Sequence, residues 1–211
     1  GLVLCLGASA LVNSTMRKYS KVRNMRGLTG AEAARNILNR EGLYNVQIEC
    51  LNSDDGDHYD PRTDTVRLSY NNFNGTSVTA VSVAAHECGH AVQHARAYAP
   101  LTMRSKLVPV VSFASNIMTW VLLGGILMLN TFPQLLLAGI ILFAMTTLFS
   151  FITLPVEINA SKRALVWLSS SGITNARNHT QAEDALRSAA YTYVVAALGS
   201  LATLVYYIMI F

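Results

Sequence analysis

Residues 84–94, Ala84-Ala85-His86-Glu87-Cys88-Gly89-His90-Ala91-Val92-Gln93-His94, decide how the rest of the chain is read. They lie within residues 76–97, a run without proline that has Thr76 or Ser77 as a cap and Ala80, Val81, Ala84, Ala85, Ala91 and Val92 as an apolar flank. That pattern predicts a helix. In a helix, His86 and His90 are four residues apart and share one face. Two imidazoles at that spacing can grip one zinc ion, with Glu87 beside them as general base. Gly89 costs about 1 kcal/mol of helix propensity, which is tolerable where something packs closely against it. Cys88 points away from the two histidines and reads as packing rather than ligation.

Composition sets the surroundings of this helix. Of 211 residues, 52% are hydrophobic and only 13% charged. The mean hydropathy is +0.34. An ordinary soluble domain is less apolar than this. The net charge of +4 is modest, and the basic residues cluster beside apolar runs, which argues against nucleic-acid binding. Cys5, Cys50 and Cys88 are odd in number and far apart, so neither a disulfide framework nor a cysteine zinc site is indicated. Reduced thiols fit a cytosol-facing active part.

Residues 107–129, 132–154 and 189–211 form three apolar runs without a charged side chain. Each is long enough to cross a hydrocarbon layer of about 30 Å with some tilt. Burying all three in one core would leave too little polar surface to enclose them. Asn130-Thr131 makes a tight hairpin of the first two, and Pro133 suits the first turn of the second. Residues 1–12 are also apolar. Arg17, Lys18, Lys21, Arg23 and Arg26 follow them, which favours a partial first transmembrane segment over a cleaved signal peptide. Arg96, Arg104 and Lys106 precede the first long run, Lys162 and Arg163 follow the second, and Arg177 and Arg187 precede the third. The positive-inside rule then puts the motif helix and the segment after Leu154 in the cytoplasm.

The polar part carries weaker signals. Thr29-Gly30-Ala31-Glu32 is a capping box ahead of an apolar face at Ala33, Ala34, Ile37 and Leu38. Val46, Ile48 and Cys50 alternate with polar residues and suggest a strand. Residues 58–60 and 65–69 read as a hairpin about a Pro61-led turn. The strand at 65–69 is placed to hold an extended substrate by strand addition. Thr180-Gln181-Ala182-Glu183 is a second capping box, opening the last helix. The expected fold is a mainly α membrane protein with about four transmembrane helices, the first truncated, and a small α+β zincin-like unit. Its segments are an N-terminal transmembrane piece at 1–15, a catalytic unit at 16–106, a helical hairpin at 107–154, a cytoplasmic segment at 155–188 and a final transmembrane helix at 189–211.

A catalytic zinc needs about three protein ligands and an open position. Glu157 and His94 compete for the third place. Glu157 follows the second apolar run where it emerges from the membrane, and a lone carboxylate there calls for a positive partner. Its plain alternative is a surface carboxylate paired with Lys162 or Arg163. His94 shares the motif helix, but one straight helix does not easily wrap three ligands around an ion, so Glu157 is preferred. His58 and Tyr59 are candidate oxyanion donors, with a purely structural turn as the alternative. His179 reads as a surface loop residue.

At this point the residues carry a resemblance that covers nearly the whole chain. Tyr19-Ser20-Lys21-Val22-Arg23, residues 27–32, Asp57-His58-Tyr59-Asp60-Pro61-Arg62-Thr63, residues 84–94 and Leu154-Pro155-Val156-Glu157 resemble the YugP family of bacterial membrane zinc metallopeptidases. The resemblance implies a multi-pass plasma-membrane endopeptidase of gluzincin type. His86, His90 and Glu157 would bind Zn2+, and a zinc-activated water would cleave peptide bonds of membrane or membrane-proximal proteins. The implied partners are the lipid bilayer and a peptide or membrane-protein substrate, with no nucleic acid. In soluble gluzincins an Asp four residues after the ligand Glu orients a zinc histidine. Ser161 stands there instead, giving less charge support, and Asn159, Asp57 and Asp60 are other candidates for that role. A non-enzymatic zinc-stabilised scaffold that binds membrane proteins is the rival class, although it leaves Glu87 without a task. An ion transporter fits less well, since the apolar runs carry no charged residue.

Overall fold

A computed structural model describes residues 2–211. Gly1, the start of the expected first segment, lies outside them. The elements are α1 (Leu2–Tyr19), α2 (Gly30–Arg40), β1 (Gln47–Leu51), β2 (His58–Asp60), β3 (Thr65–Ser69), α3 (Tyr70–Asn74), α4 (Val78–Ala95), α5 (Ala99–Leu127), α6 (Pro133–Ser170) and α7 (Ala176–Ile210).

The motif helix is α4. Ser77 caps it by accepting from the Ala80 N–H. The capping box at Thr29 forms in full, with the Thr29 side chain on the Glu32 N–H and the Glu32 carboxylate on the Thr29 N–H. The second expected box does not open α7. That helix starts earlier, at Ala176, with Asn175 accepting from the Asn178 N–H. Thr180 lies within the first turns and bonds back to the Ala176 carbonyl. Asn175 is the better cap because its side chain reaches the N–H of the third residue on.

The sheet has the order β1-β3-β2. The hairpin forms as expected, β2 antiparallel to β3, while β1 runs parallel to β3 from Gln47 opposite Thr65 to Leu51 opposite Ser69. Thr65–Ser69 is therefore the central strand, bonded on both sides, and has no edge for a substrate. Only an outer strand can be extended, and β2 is the outer strand that packs on α4.

Among the described residues, α5, α6 and α7 are the three helices long and apolar enough to cross a membrane. α1 spans 18 residues and ends in Arg17 and Lys18. Leu2, Val3, Leu4, Leu6 and Leu11 are exposed along it. Trp120, Leu127 and Met209 are more than two-thirds exposed on the long helices, an outward apolar surface that suits lipid rather than water. With 38 residues, α6 is about 57 Å long, far more than the roughly 30 Å it needs to cross hydrocarbon. It stays helical through Pro155. Its surplus C-terminal half stands against α4 and joins the main core of Ile37, Leu38, Val66, Leu68, Val81, Trp167 and Leu168. Residues 155–170 thus continue the helix that carries the second apolar run.

α4 and α6 touch at Gly89. A Cβ built there would lie 2.9 Å from both the Cα and the carbonyl oxygen of Ala160. Only glycine allows the two backbones this close, and that approach sets the position of Glu157. Gly89→Ala is therefore expected to lower stability. Forcing the helices apart costs about 1–3 kcal/mol, offset in part by the roughly 1 kcal/mol gained in helix propensity. Thermal unfolding of the detergent-solubilised variant checks this, and an unchanged midpoint would mean the contact is looser than described.

Candidate metal centre

Three side chains from two helices converge. Nε2 of His86 lies 3.1 Å from Oε2 of Glu157, and Nε2 of His90 lies 3.5 Å from the same oxygen. Their ligand atoms all fall within 4.8 Å of one another. Zinc bonds of about 2.0–2.1 Å in a tetrahedron would set neighbouring ligand atoms about 3.3–3.4 Å apart. The two imidazoles and the carboxylate thus fit one zinc ion by donor type and by spacing. His94 is not in this group. Its Nδ1 lies 3.0 Å from the hydroxyl of Tyr59.

The surroundings fix which nitrogens face the centre. Gln93 is fully buried and its amide N–H groups donate to the Val156 carbonyl and to Oδ1 of Asn159. Its oxygen is left to face Nδ1 of His90 at 3.0 Å. His90 therefore carries its proton on Nδ1 and presents the lone pair of Nε2 to Glu157. Oγ of Ser161 lies 3.1 Å from Nδ1 of His86 and holds that ring with Nε2 toward Glu157. Lone pairs and a carboxylate converging at these distances call for a cation or a proton between them. Burial alone would lower the pKa of His90, but the hydrogen bond to Glu157 and the charges of Glu87 and Glu157 outweigh it and raise the value.

Two features of the centre were not anticipated from sequence. Gln93 was read only as part of the motif helix. Arg104 on α5 was counted only as a topogenic charge, yet it donates from Nη1 to Oε1 of Glu157 at 3.1 Å. Glu157 is 3% exposed and uses one oxygen for the guanidinium and the other for the histidines. A third addition is Tyr193 on α7, which lines the cavities on both sides of the motif. The signal for it is present in the sequence: Leu186, Ala189, Ala190 and Tyr193 fall at i, i+3, i+4 and i+7, one face of a helix.

Glu87 is 8% exposed and borders both cavities. Among the described residues its carboxylate takes part in no hydrogen bond or ion pair. The larger cavity is a cleft of about 340 Å³ that also reaches His58, Tyr59, His94 and Arg104. His58 donates from Nδ1 to the Gly56 carbonyl, leaving Nε2 open. Tyr59 donates to Oδ1 of Asp64, and burial together with that bond keeps its hydroxyl protonated well above the usual range. Asp57 accepts from the backbone and hydroxyl of Ser69 and from Asn72. Asp60 is held as a carboxylate by the backbone and guanidinium of Arg62 and by Arg67. Both carboxylates shape the hairpin and neither bonds a motif histidine. Asn159 reaches His90 only through Gln93 and is also bonded by Arg163. Cys88 is buried beside the Ala34 carbonyl, away from the centre, and burial pushes its thiol up, so it is inert. His179 faces Thr174, outside the site.

The chain is similar to known proteins along its whole length. A curated protein of Bacillus subtilis (strain 168), described as "Putative membrane protease YugP", is 45% identical over 210 residues, covering 100% of this chain and 92% of the relative. No solved structure matches the chain. A family described as "Putative neutral zinc metallopeptidase" matches residues 1–211. With a zinc-compatible donor set in place and a match that runs from end to end, the chain belongs to this zinc metallopeptidase family and takes zinc as its cofactor.

Proposed function

We propose that the protein is a multi-pass membrane endopeptidase. His86, His90 and Glu157 hold the zinc ion, Glu87 is the general base, and the substrates are membrane proteins or chains lying near the membrane surface. The observation that carries this reading is the convergence of two Nε2 atoms and Glu157 beside a carboxylate with no partner of its own. In a zinc-stabilised scaffold, Glu87, set where the two cavities meet, would have no task.

When bound, zinc supplies Lewis acidity, polarising a peptide carbonyl and making a water easier to deprotonate. Glu87 takes the proton of the attacking water and passes it to the departing amine. Arg104 holds one oxygen of Glu157 and so aims the other at the histidines. Gln93 keeps His90 in the tautomer that leaves Nε2 free, and Ser161 holds the His86 ring in place. The hydroxyl of Tyr193 lines the cleft and would donate to the oxyanion as it forms, and Nε2 of His58 would do so only in the doubly protonated ring. The outer edge of β2 borders the same cleft and would hold an extended substrate by backbone hydrogen bonds.

Zinc removal is the direct test. Purified protein stripped with a chelator should lose peptide cleavage and regain it on adding zinc. Because the pKa of His90 is raised, a proton competes with the metal up to higher pH than for an ordinary imidazole. Zinc retention should therefore weaken as pH falls through that range, read as zinc content after dialysis at stepped pH. Cleavage that persists in the stripped protein would sink the reading.

The site faces the cytoplasm in this scheme, since the basic residues around α4 and after α6's apolar stretch lie on its side. Single cysteines at His94 and Lys162 should be blocked only by membrane-permeant thiol reagents, against a background with the native cysteines removed. Labelling of either by an impermeant reagent in intact cells would reverse the orientation.

A further inference from the structure

On the far side of the motif from the β2 cleft lies a second cavity, of about 160 Å³. Both cavities share His86, Glu87, Glu157 and Tyr193, so they meet at the catalytic groups. The rest of the second cavity is different in kind. Apart from the hydroxyl of Ser161, its wall consists of Met16 from α1, Val83 from α4, and Leu186, Ala189 and Ala190 from α7. None of these five carries a charge or a hydrogen-bonding side chain. Met16, Val83, Ala189 and Ala190 are half-buried, as residues lining a recess are, and Leu186 is buried beneath them.

We infer that this cavity is a side-chain subsite that takes an apolar residue directly flanking the cleaved bond. The inference rests on the peptidase reading above and deepens it. A peptide held on the β2 edge passes the catalytic groups and must place its next side chain beyond Glu87. The space there offers no partner to a charged or amide side chain, and burying such a group unpaired is penalised. An aliphatic side chain loses only water. The size sets an upper limit too: the alanines at 189 and 190 leave room that a larger residue would close. Two of the helices in the wall, α1 and α7, carry exposed apolar side chains beyond it, such as Leu4, Leu11, Leu198 and Val205, so the subsite adjoins a surface along which apolar-rich segments would arrive.

The experiment is cleavage-site profiling with the full-length protein in detergent and zinc, on a mixture of peptides of defined sequence, read by mass spectrometry. Wild type, Ala190→Leu, Met16→Ala and Glu87→Gln are run together. Wild type should favour Leu, Ile, Val or Met at one of the two positions flanking the cut. Ala190→Leu narrows the cavity and should shift the preference at that same position toward Ala or Ser by about tenfold or more, the scale at which a hydrophobic pocket discriminates. Met16→Ala widens it and should move the preference the opposite way, toward Phe. Cleavage in wild type with the same flanking profile in both variants overturns the subsite while leaving the peptidase reading standing. Absence of any cleavage that depends on Glu87 overturns the peptidase reading and the subsite with it.

Discussion

Glu87→Gln should cut peptide cleavage about 10²–10⁴-fold while zinc stays bound, the range expected when a general base is removed. In activation free energy this is about 3–5 kcal/mol. The amide has nearly the shape of the carboxylate, so packing around a residue that is 8% exposed should change little. It cannot accept the water proton. Glu87 has no protein partner to lose, so the substitution breaks no ion pair or hydrogen bond in the fold. It is also absent from the converging ligand set, so the metal content should match wild type. The measurement is kcat/KM on a fluorogenic peptide beside zinc stoichiometry of the same preparation. Wild-type cleavage by the variant would remove Glu87 from the mechanism. Lost zinc would instead give it a structural part in the centre.

How far the sequence leads depends on how local each signal is. The motif helix, its histidine face, the capping box at Thr29 and the apolar spans are written in spacings of three, four or about twenty residues, and they are legible for that reason. Gly89 is legible as a cost that calls for a close neighbour; that Ala160 is that neighbour depends on α6. The strand at 65–69 shows where locality misleads. A hairpin partner could be read from the turn, but the parallel partner β1, which makes β3 central, comes from a crossover that leaves no turn signature. Likewise Arg104 looks the same to topology counting whether it faces headgroups or Glu157. Gln93 reads as one more polar helix residue until its two donors are seen to be tied to α6. Thr180 looks like the cap from its local pattern, yet α7 begins after Asn175, and that start depends on where the helix meets the core.

Glu157→Ala should lower zinc affinity by well over the roughly 10–100-fold that follows the loss of a supporting residue around a metal ligand. Two effects act together. One of three protein donors disappears, leaving two neutral imidazoles. The substitution also strands Arg104, whose guanidinium is bonded to Oε1 of Glu157 and lines the same cleft. A cation without its counter-charge then faces the place a dication must occupy. Adding Arg104→Ala to the Glu157 variant removes that repulsion and should restore part of the affinity, though not the missing ligand. His94→Ala, by contrast, should keep its zinc, because the imidazole is turned to Tyr59 and lies outside the converging group. Metal analysis after dialysis against a competing chelator, across these four proteins including wild type, tells the roles apart. Full zinc retention in Glu157→Ala would return His94 to the centre. The predicted order instead makes the metal a tie between a helix of the polar unit and the continuation of a membrane-spanning helix. Displacing α6 relative to α4 would then both open the site and loosen its zinc.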